Sequence, residues 1–122
     1  MAAYALIAEP DPGQAQLYRH LAQAEGFEVR VVRDGEQGRE ALRAFGAPAL
    51  TIAELALAKV DGFQLTASIK GNEKYSDIPV ILVTSLQSDV HRRRGLEVGA
   101  DAYITKGSFD QNNLLDTIRR LI

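Results

Sequence analysis

Five side chains that could bind an ion, or one another, follow short apolar runs of this sequence. Glu9 and Asp11 come just after the first run, Glu54 and Thr84 stand at the ends of the third and fourth, and Lys106 follows the fifth. Carboxylate oxygens are ligands for a hard cation such as Mg²⁺, and an ammonium group offsets repulsion between clustered carboxylates. These residue types allow a weak cation site or an internal ion-pair cluster, if the fold brings them together.

The apolar runs that would position these side chains alternate with helical repeats along the chain. This alternation is typical of an α/β domain with a parallel sheet. Residues 80–83 do not alternate between apolar and polar, so their strand is predicted to be central and covered on both faces. The predicted strands are residues 4–8, 29–32, 49–55, 78–84 and 102–105.

A helix is predicted after every strand. The pairs Asp11-Pro12 and Asp34-Gly35 are typical helix starts, in which a capping side chain precedes the first turn. The third and fourth helices are predicted at residues 63–70 and 88–98, and the fourth is only weakly amphipathic. Apolar stripes are predicted at Gly38, Ala41, Leu42 and Phe45 on the second helix, and at Leu114, Leu115, Ile118, Leu121 and Ile122 on the last.

Strict alternation with right-handed crossovers predicts a doubly wound parallel sheet with helices on both faces, as one domain over residues 1–122. Ligands of such sheets bind at the carboxyl ends of the strands, beside the switch in strand order. We therefore expect Glu9, Glu54, Thr84 with Ser85, and Lys106 to converge in one cleft.

Composition narrows the function classes. The chain has 14 Lys and Arg residues and 16 Asp and Glu residues, so its net charge is −2. This charge argues against general nucleic-acid binding, which needs a surplus of basic residues. The chain has no cysteine, so disulfides and thiolate metal sites are excluded. No apolar run approaches the ~20 residues of a membrane span, and the start lacks a secretion signal. We expect a cytoplasmic protein that contacts neither membranes nor nucleic acid.

Landmarks in a fixed order carry a resemblance to a known family. Over its whole length the chain resembles the receiver domains of bacterial response regulators, the CheY-like domains. The resemblance implies a flavodoxin-like sheet of order 2-1-3-4-5 with five helices. Residues 80–122, with the segment 106–111, look most like receivers attached to chemotaxis-type histidine kinases. The landmarks are residues 8–12, Glu54, residues 60–63, residues 78–81, Thr84-Ser85, residues 99–103 and Lys106.

The resemblance implies phosphoryl transfer from a kinase histidine to an aspartate at the end of strand three. Two acidic residues after strand one would hold Mg²⁺, and the positions of Thr84 and Lys106 would bind the phosphoryl oxygens. A metal and a cation are needed because the transferring group carries spread negative charge.

The chain departs from the family at three site positions. Glu54 replaces the acceptor aspartate, and its extra methylene moves the carboxylate by roughly 1.5 Å, where misplacement of about 1 Å can cost on the order of 100-fold in rate. Pro10 replaces the second acidic residue and removes a Mg²⁺ ligand. Gly107 replaces the proline after Lys106, and a non-proline cis bond costs about 2.5–4 kcal/mol, so the Lys106–Gly107 bond is predicted to be trans.

These departures predict a pseudo-receiver in two-component or chemotaxis-type signalling, without normal aspartyl phosphorylation. We expect no enzymatic activity, no catalytic residue, no bound metal and no cofactor. Glu54 is predicted to reach Thr84 or Lys106 and hold the domain in one state. The alternative is a phosphorylatable receiver that accepts a phosphoryl group in the presence of Mg²⁺. Nucleotide or flavin binding is disfavoured, because Pro10 and Pro12 remove backbone donors from the first loop.

Each site residue also has a purely structural interpretation. Glu9 and Asp11 could charge and cap the first helix, Thr84 could serve packing alone, and Glu54 could be a solvated strand-end carboxylate. Lys106 is interpreted chiefly as a counterion to Glu9 and Glu54.

The predicted partner face comprises the fourth helix, fifth strand and fifth helix. Tyr103 on this face is either a rotameric switch or a plain strand residue, and His91 is predicted to be a surface residue. The basic run Arg92, Arg93 and Arg94 is either a solvated helix face or a contact for an acidic partner, which could be a kinase, an output protein or a second copy.

Overall fold

A computed structural model describes residues 3–108 and 111–122, in five strands and five α-helices. Phe109 and Asp110, part of the segment that resembles chemotaxis-type receivers, lie outside the described residues. In chain order the strands are β1 Tyr4–Ala8, β2 Glu28–Val32, β3 Leu50–Ala53, β4 Val80–Thr84 and β5 Ala102–Thr105. The helices are α1 Pro12–Ala24, α2 Gly35–Phe45, α3 Gly62–Lys70, α4 Asp89–Glu97 and α5 Gln111–Leu121, and a 3₁₀ turn covers Lys106–Ser108.

All five strands are parallel, in the order β2-β1-β3-β4-β5. The predicted fold and strand order are therefore confirmed. Strand order reverses between β1 and β3, which places the carboxyl ends of these two strands beside the expected site.

Apolar side chains form one core on each side of the sheet. One core includes Leu6, Leu65 and Leu82, and the other includes Tyr18 and Ile81, all almost completely inaccessible to solvent. All five residues of β4 are buried, which confirms that this strand is central and covered on both faces.

Four helices begin at a side-chain cap, which fixes where the loops at the carboxyl edge of the sheet end. The carboxylate of Asp11 accepts from the N–H of Gln14, and Asp61 forms a reciprocal capping box with Gln64. The equivalent caps of α2 and α4 are Asp34 and Ser88. The predicted helix starts at Asp11 and Asp34 are thus confirmed, because these side chains satisfy N–H groups that have no partner within the helix.

Two residues of the predicted apolar stripes are exposed. Phe45 on α2 is 53% exposed, and Ile122 at the end of the chain is 57% exposed. The ring of Phe45 faces the guanidinium of Arg30 on the edge strand, 3.5 Å from the ring centroid, rather than the core. Strand three is also shorter than predicted, so that Glu54 follows β3 instead of lying within it. Among the described residues, no helix has both the length and the apolar character needed to cross a bilayer.

Candidate functional site

Lys106 joins two buried carboxylates at the carboxyl edge of the sheet. Its Nζ lies 2.8 Å from Glu9 Oε1 and 2.9 Å from Glu54 Oε1. Glu9 follows β1, Glu54 follows β3 and Lys106 follows β5, so the parallel sheet itself brings the three side chains together. The structure therefore contains the predicted cluster of strand-end residues.

The Glu54 carboxylate is held on both of its oxygens. While Oε1 faces Lys106, Oε2 accepts from the backbone N–H of Leu55 at 2.5 Å and of Ala56 at 3.2 Å. The hydroxyl of Thr84 also interacts with this carboxylate. Glu54 is thus neither solvated nor free to turn, which excludes its interpretation as a solvated strand-end carboxylate.

Ionised forms are favoured on both sides of this ion pair. Burial alone would raise the pKa of Glu54, but hydrogen bonds from Thr84, Lys106 and the Ala56 N–H, with the charge of Lys106, lower the pKa below its ordinary value. Burial alone would lower the pKa of Lys106, but hydrogen bonds to Glu9 and Glu54 and their charges raise it. The pair is charged at neutral pH.

The residues that follow β1 are occupied by internal contacts. Glu9 Oε2 accepts from the backbone N–H of Asp11 at 3.1 Å, and the Asp11 carboxylate caps α1. Between them Pro10 carries no carboxylate. The capping interpretation of Asp11 is confirmed.

This donor set does not fit Mg²⁺. The ion needs near-octahedral oxygen ligands at about 2.0–2.1 Å. Here the ammonium group of Lys106 lies between the carboxylates of Glu9 and Glu54, where a cation would bind, and Pro10 cannot replace a ligand. Over residues 3–108 and 111–122, no cluster of three acidic or histidine side chains could hold a metal.

A chain of contacts leads from this cluster to Tyr103 on β5. The hydroxyl of Thr84 accepts from the N–H of Leu86 at 3.3 Å, and the hydroxyl of Tyr103 donates to the carbonyl of Leu86 at 2.6 Å. Tyr103 is 8% exposed, so its ring lies inward. Sequence reasoning missed Leu86, because its contribution is made by backbone groups and no side-chain pattern marks it.

The remaining predicted residues lie on or near α4. Arg92 donates to the carbonyl of Tyr103 and lies 5.1 Å from the centroid of its ring, while Arg94 lies over the ring of Phe63. Arg93 is exposed. His91 is partly exposed, stacks on Phe63 and faces the hydroxyl of Ser88, as expected for a surface residue.

The turn after β5 differs from the family pattern in the expected way. The Lys106–Gly107 bond is trans. A Cβ atom at Gly107 would lie 2.4 Å from Nε2 of Gln87, so the absent side chain lets the loop after β4 approach this turn. Gln87 was not predicted from the sequence, although the glycine at position 107 was a signal that something packs there.

Ser85, predicted alongside Thr84, is exposed.

Comparison with known protein families identifies the family of this chain. The sequence matches the response regulator receiver domain over residues 5–119. This chain belongs to the response regulator receiver family. The resemblance predicted from the landmarks is therefore confirmed at the level of the family.

Individual relatives place the receiver among signalling proteins. It is 34% identical over 117 residues to the DNA-binding dual master transcriptional regulator RpaA of Synechocystis sp., covering 96% of this chain and 48% of that protein. It is 36% identical over 101 residues to a gliding motility regulatory protein of Myxococcus xanthus, covering 83% and 13%. The chain thus spans about half, or less, of the length of these relatives.

A solved structure supports the same assignment. The signal receiver domain of a signal transduction histidine kinase from Syntrophus aciditrophicus is 33% identical, with a TM-score of 0.88, over 98% of this chain and 89% of that one. The narrower resemblance of residues 80–122 to receivers attached to chemotaxis-type kinases stays a prediction.

Proposed function

We propose that this receiver is a pseudo-receiver in two-component signalling, a protein-interaction module that works without normal aspartyl phosphorylation and is not an enzyme. The observation that carries the proposal is the engagement of the Glu54 carboxylate with Lys106 and Thr84. In the family these two positions would bind phosphoryl oxygens. In this chain the carboxylate of the acceptor position itself uses them.

Phosphorylation of Glu54 would have to break contacts that already satisfy the site. A phosphoryl donor would compete with the Glu54 carboxylate for Lys106, and Mg²⁺ would have to displace the ammonium group from two buried carboxylates. Only differential stabilisation of the transition state accelerates transfer, and here the positively charged group is already neutralised. The retained Thr84 and Lys106 support the alternative, a phosphorylatable receiver, but their present contacts favour a fixed state.

The same contacts support one constant arrangement of the partner face. Glu54 contacts Thr84, Thr84 accepts from Leu86, and Leu86 holds the hydroxyl of Tyr103 inward. Beside Tyr103, α4 presents basic side chains and the exposed apolar residues Val90 and Leu96, 72% and 54% accessible. Such a mixture of exposed apolar and basic groups suits a protein partner with an acidic rim: a kinase, an output protein or a second copy.

Incubation with a small phosphodonor and Mg²⁺, followed by intact-mass measurement, tests the proposal. We expect the mass of the native chain to be unchanged. We also expect the NMR spectrum of the chain to be unaffected by beryllofluoride in the presence of Mg²⁺. The matched control is the double variant Pro10→Asp with Glu54→Asp, which restores the acceptor and a metal ligand and should gain a phosphoryl adduct. A stoichiometric adduct on the native chain would establish the phosphorylatable alternative.

A further inference from the structure

A second charged feature lies between α2 and α3, apart from the partner face. Seven of the 14 basic side chains have a carboxylate or an aromatic ring as a partner. Lys59, Lys70, Lys106 and Arg119 form ion pairs, and Arg30, Arg92 and Arg94 lie over rings. Within residues 3–108 and 111–122, the side chains with neither kind of partner are those of Arg19, Arg33, Arg39, Arg43, Lys74, Arg93 and Arg120.

Three of these unpaired cations line one pocket of about 500 Å³. Arg39 and Arg43 lie about one turn apart on α2, and Lys74 follows α3. The pocket lining contains no acidic residue. Its polar groups include Ser68, Asn72 and Tyr75. Three positive charges with no internal counterion require an anion or water to satisfy them.

The cations of this pocket are partly pre-positioned. Nε of Arg39 donates to the hydroxyl of Ser68 at 2.9 Å, which fixes the guanidinium against α3 and leaves its other N–H groups available. The hydroxyl of Tyr75 donates to the carbonyl of Leu42 and holds the wall between the helices. A planar guanidinium of this kind can accept a carboxylate bidentately.

A second pocket shows why the α2–α3 pocket is the better anion site. Arg19 and Arg33 also line a pocket, of about 310 Å³, next to the β1–α1 loop. That pocket includes the buried carboxylate of Glu9, which repels anions. The α2–α3 pocket has no such group, although Glu73 lines a neighbouring depression.

We infer that the α2–α3 pocket binds an acidic segment of a partner protein, through Asp or Glu side chains, at a place distinct from the α4–β5–α5 face. The pocket lies near the C-terminal ends of α2 and α3, whose dipoles oppose any anion, so the three cations must outweigh them. Singly charged carboxylates meet less of this opposition than a nearly doubly charged phosphate group does and therefore fit better. Nucleic acid fits less well, since the whole chain carries a net charge of −2.

A titration of the isotope-labelled chain by NMR tests this inference, with hexaglutamate as the probe at physiological salt. We expect saturable shifts of the backbone amides of Arg39, Arg43 and Tyr75. The variant Arg43→Glu with Lys74→Glu should weaken binding by roughly tenfold or more, because it reverses two exposed charges at the pocket. The variant Arg33→Glu with Arg120→Glu makes the same change in net charge elsewhere and should bind almost as the native chain does.

Three results would overturn the inference. Equal weakening in both variants would mean that hexaglutamate responds only to net charge. Inorganic phosphate that shifts the same amides at lower concentration than hexaglutamate would assign the pocket to phosphate. A single-stranded oligonucleotide that competes more strongly than hexaglutamate would assign it to nucleic acid. None of these results depends on whether Glu54 accepts a phosphoryl group.

Discussion

Two lysine-centred clusters lie at opposite edges of the same sheet, and the carboxylates that pair with the two lysines differ in their exposure to solvent. At the carboxyl edge, Lys106 pairs with Glu9 and Glu54, whose side chains are 1% and 7% exposed. At the amino edge, Lys70 pairs with Asp101, which is 33% exposed, at 2.9 Å. Lys70 also donates to the carbonyl of Ile78 at 2.8 Å, and Asp101 accepts from the N–H of Val80 at the same distance.

The difference separates a structural brace from a site. The Lys70 cluster ties side chains to backbone groups at the start of β4, so it organises the fold locally. The Lys106 cluster consists mainly of side chains that are buried, charged and dependent on one another. Buried charge without a partner is costly, whereas partly exposed charge can be solvated. The two lysines should therefore respond very differently to the same substitution.

Lys106→Met should have the largest effect. It leaves two buried carboxylates facing each other without a counterion, and breaking a buried ion pair typically costs about 3–5 kcal/mol. Urea unfolding at neutral pH measures the loss. The double variant Lys106→Met with Glu54→Gln removes one of the stranded charges and should recover part of the stability. If the single variant lost under about 1 kcal/mol, the cluster would not be an electrostatic unit.

Lys70→Met should cost less, about 1–2 kcal/mol, because Asp101 can be solvated and still accept from the N–H of Val80. The carbonyl of Ile78 loses its lysine donor, which accounts for most of the expected loss. The same urea unfolding, run beside Lys106→Met, makes the comparison direct. If Lys70→Met lowered the free energy of unfolding as much as Lys106→Met does, the Lys70 cluster and the Lys106 cluster would not differ in this way.

The pH dependence of stability should be the smallest and most specific effect. The pKa of Glu54 is lower in the folded chain than its ordinary value of 4.5, so its contribution is fully present above that pH and is lost as the pH falls through the lowered pKa. Because the pKa of Lys106 is raised above its ordinary value of 10.5, the contribution of Lys106 to stability is fully present below pH 10.5. This contribution is lost only as the pH rises through the raised pKa. Between these limits the pair should contribute steadily.

Unfolding curves at a series of acidic pH values measure this dependence, with Glu54→Gln as the control. The native chain should lose more stability on acidification than the variant, because glutamine does not titrate. Parallel acid profiles for the two proteins would show that Glu54 is not a source of acid sensitivity.

Much of the fold could be predicted from the sequence because it is encoded locally. The uninterrupted apolar run 80–83 predicted a central strand, and Asp11 before Pro12 predicted a helix start; both are present. The exposure of Phe45 shows the limit of this local information. Helical spacing reports which residues share a face, but the stacking of its ring with Arg30 depends on a neighbouring strand.

The sequence by itself determined the receiver fold and placed Glu9, Glu54, Thr84 and Lys106 at one edge of the sheet, because strand periodicity and chain order fix those positions. It also identified the departures at Pro10, Glu54 and Gly107. It predicted Lys106 as the counterion of Glu9 and Glu54 as well, and the structure confirms this pairing. Only the tertiary structure decided that the backbone N–H groups of Leu55 and Ala56 hold the second oxygen of Glu54. The inward ring of Tyr103 and the unpaired cations between α2 and α3 were likewise decided by packing, since no local pattern specifies contacts between distant elements.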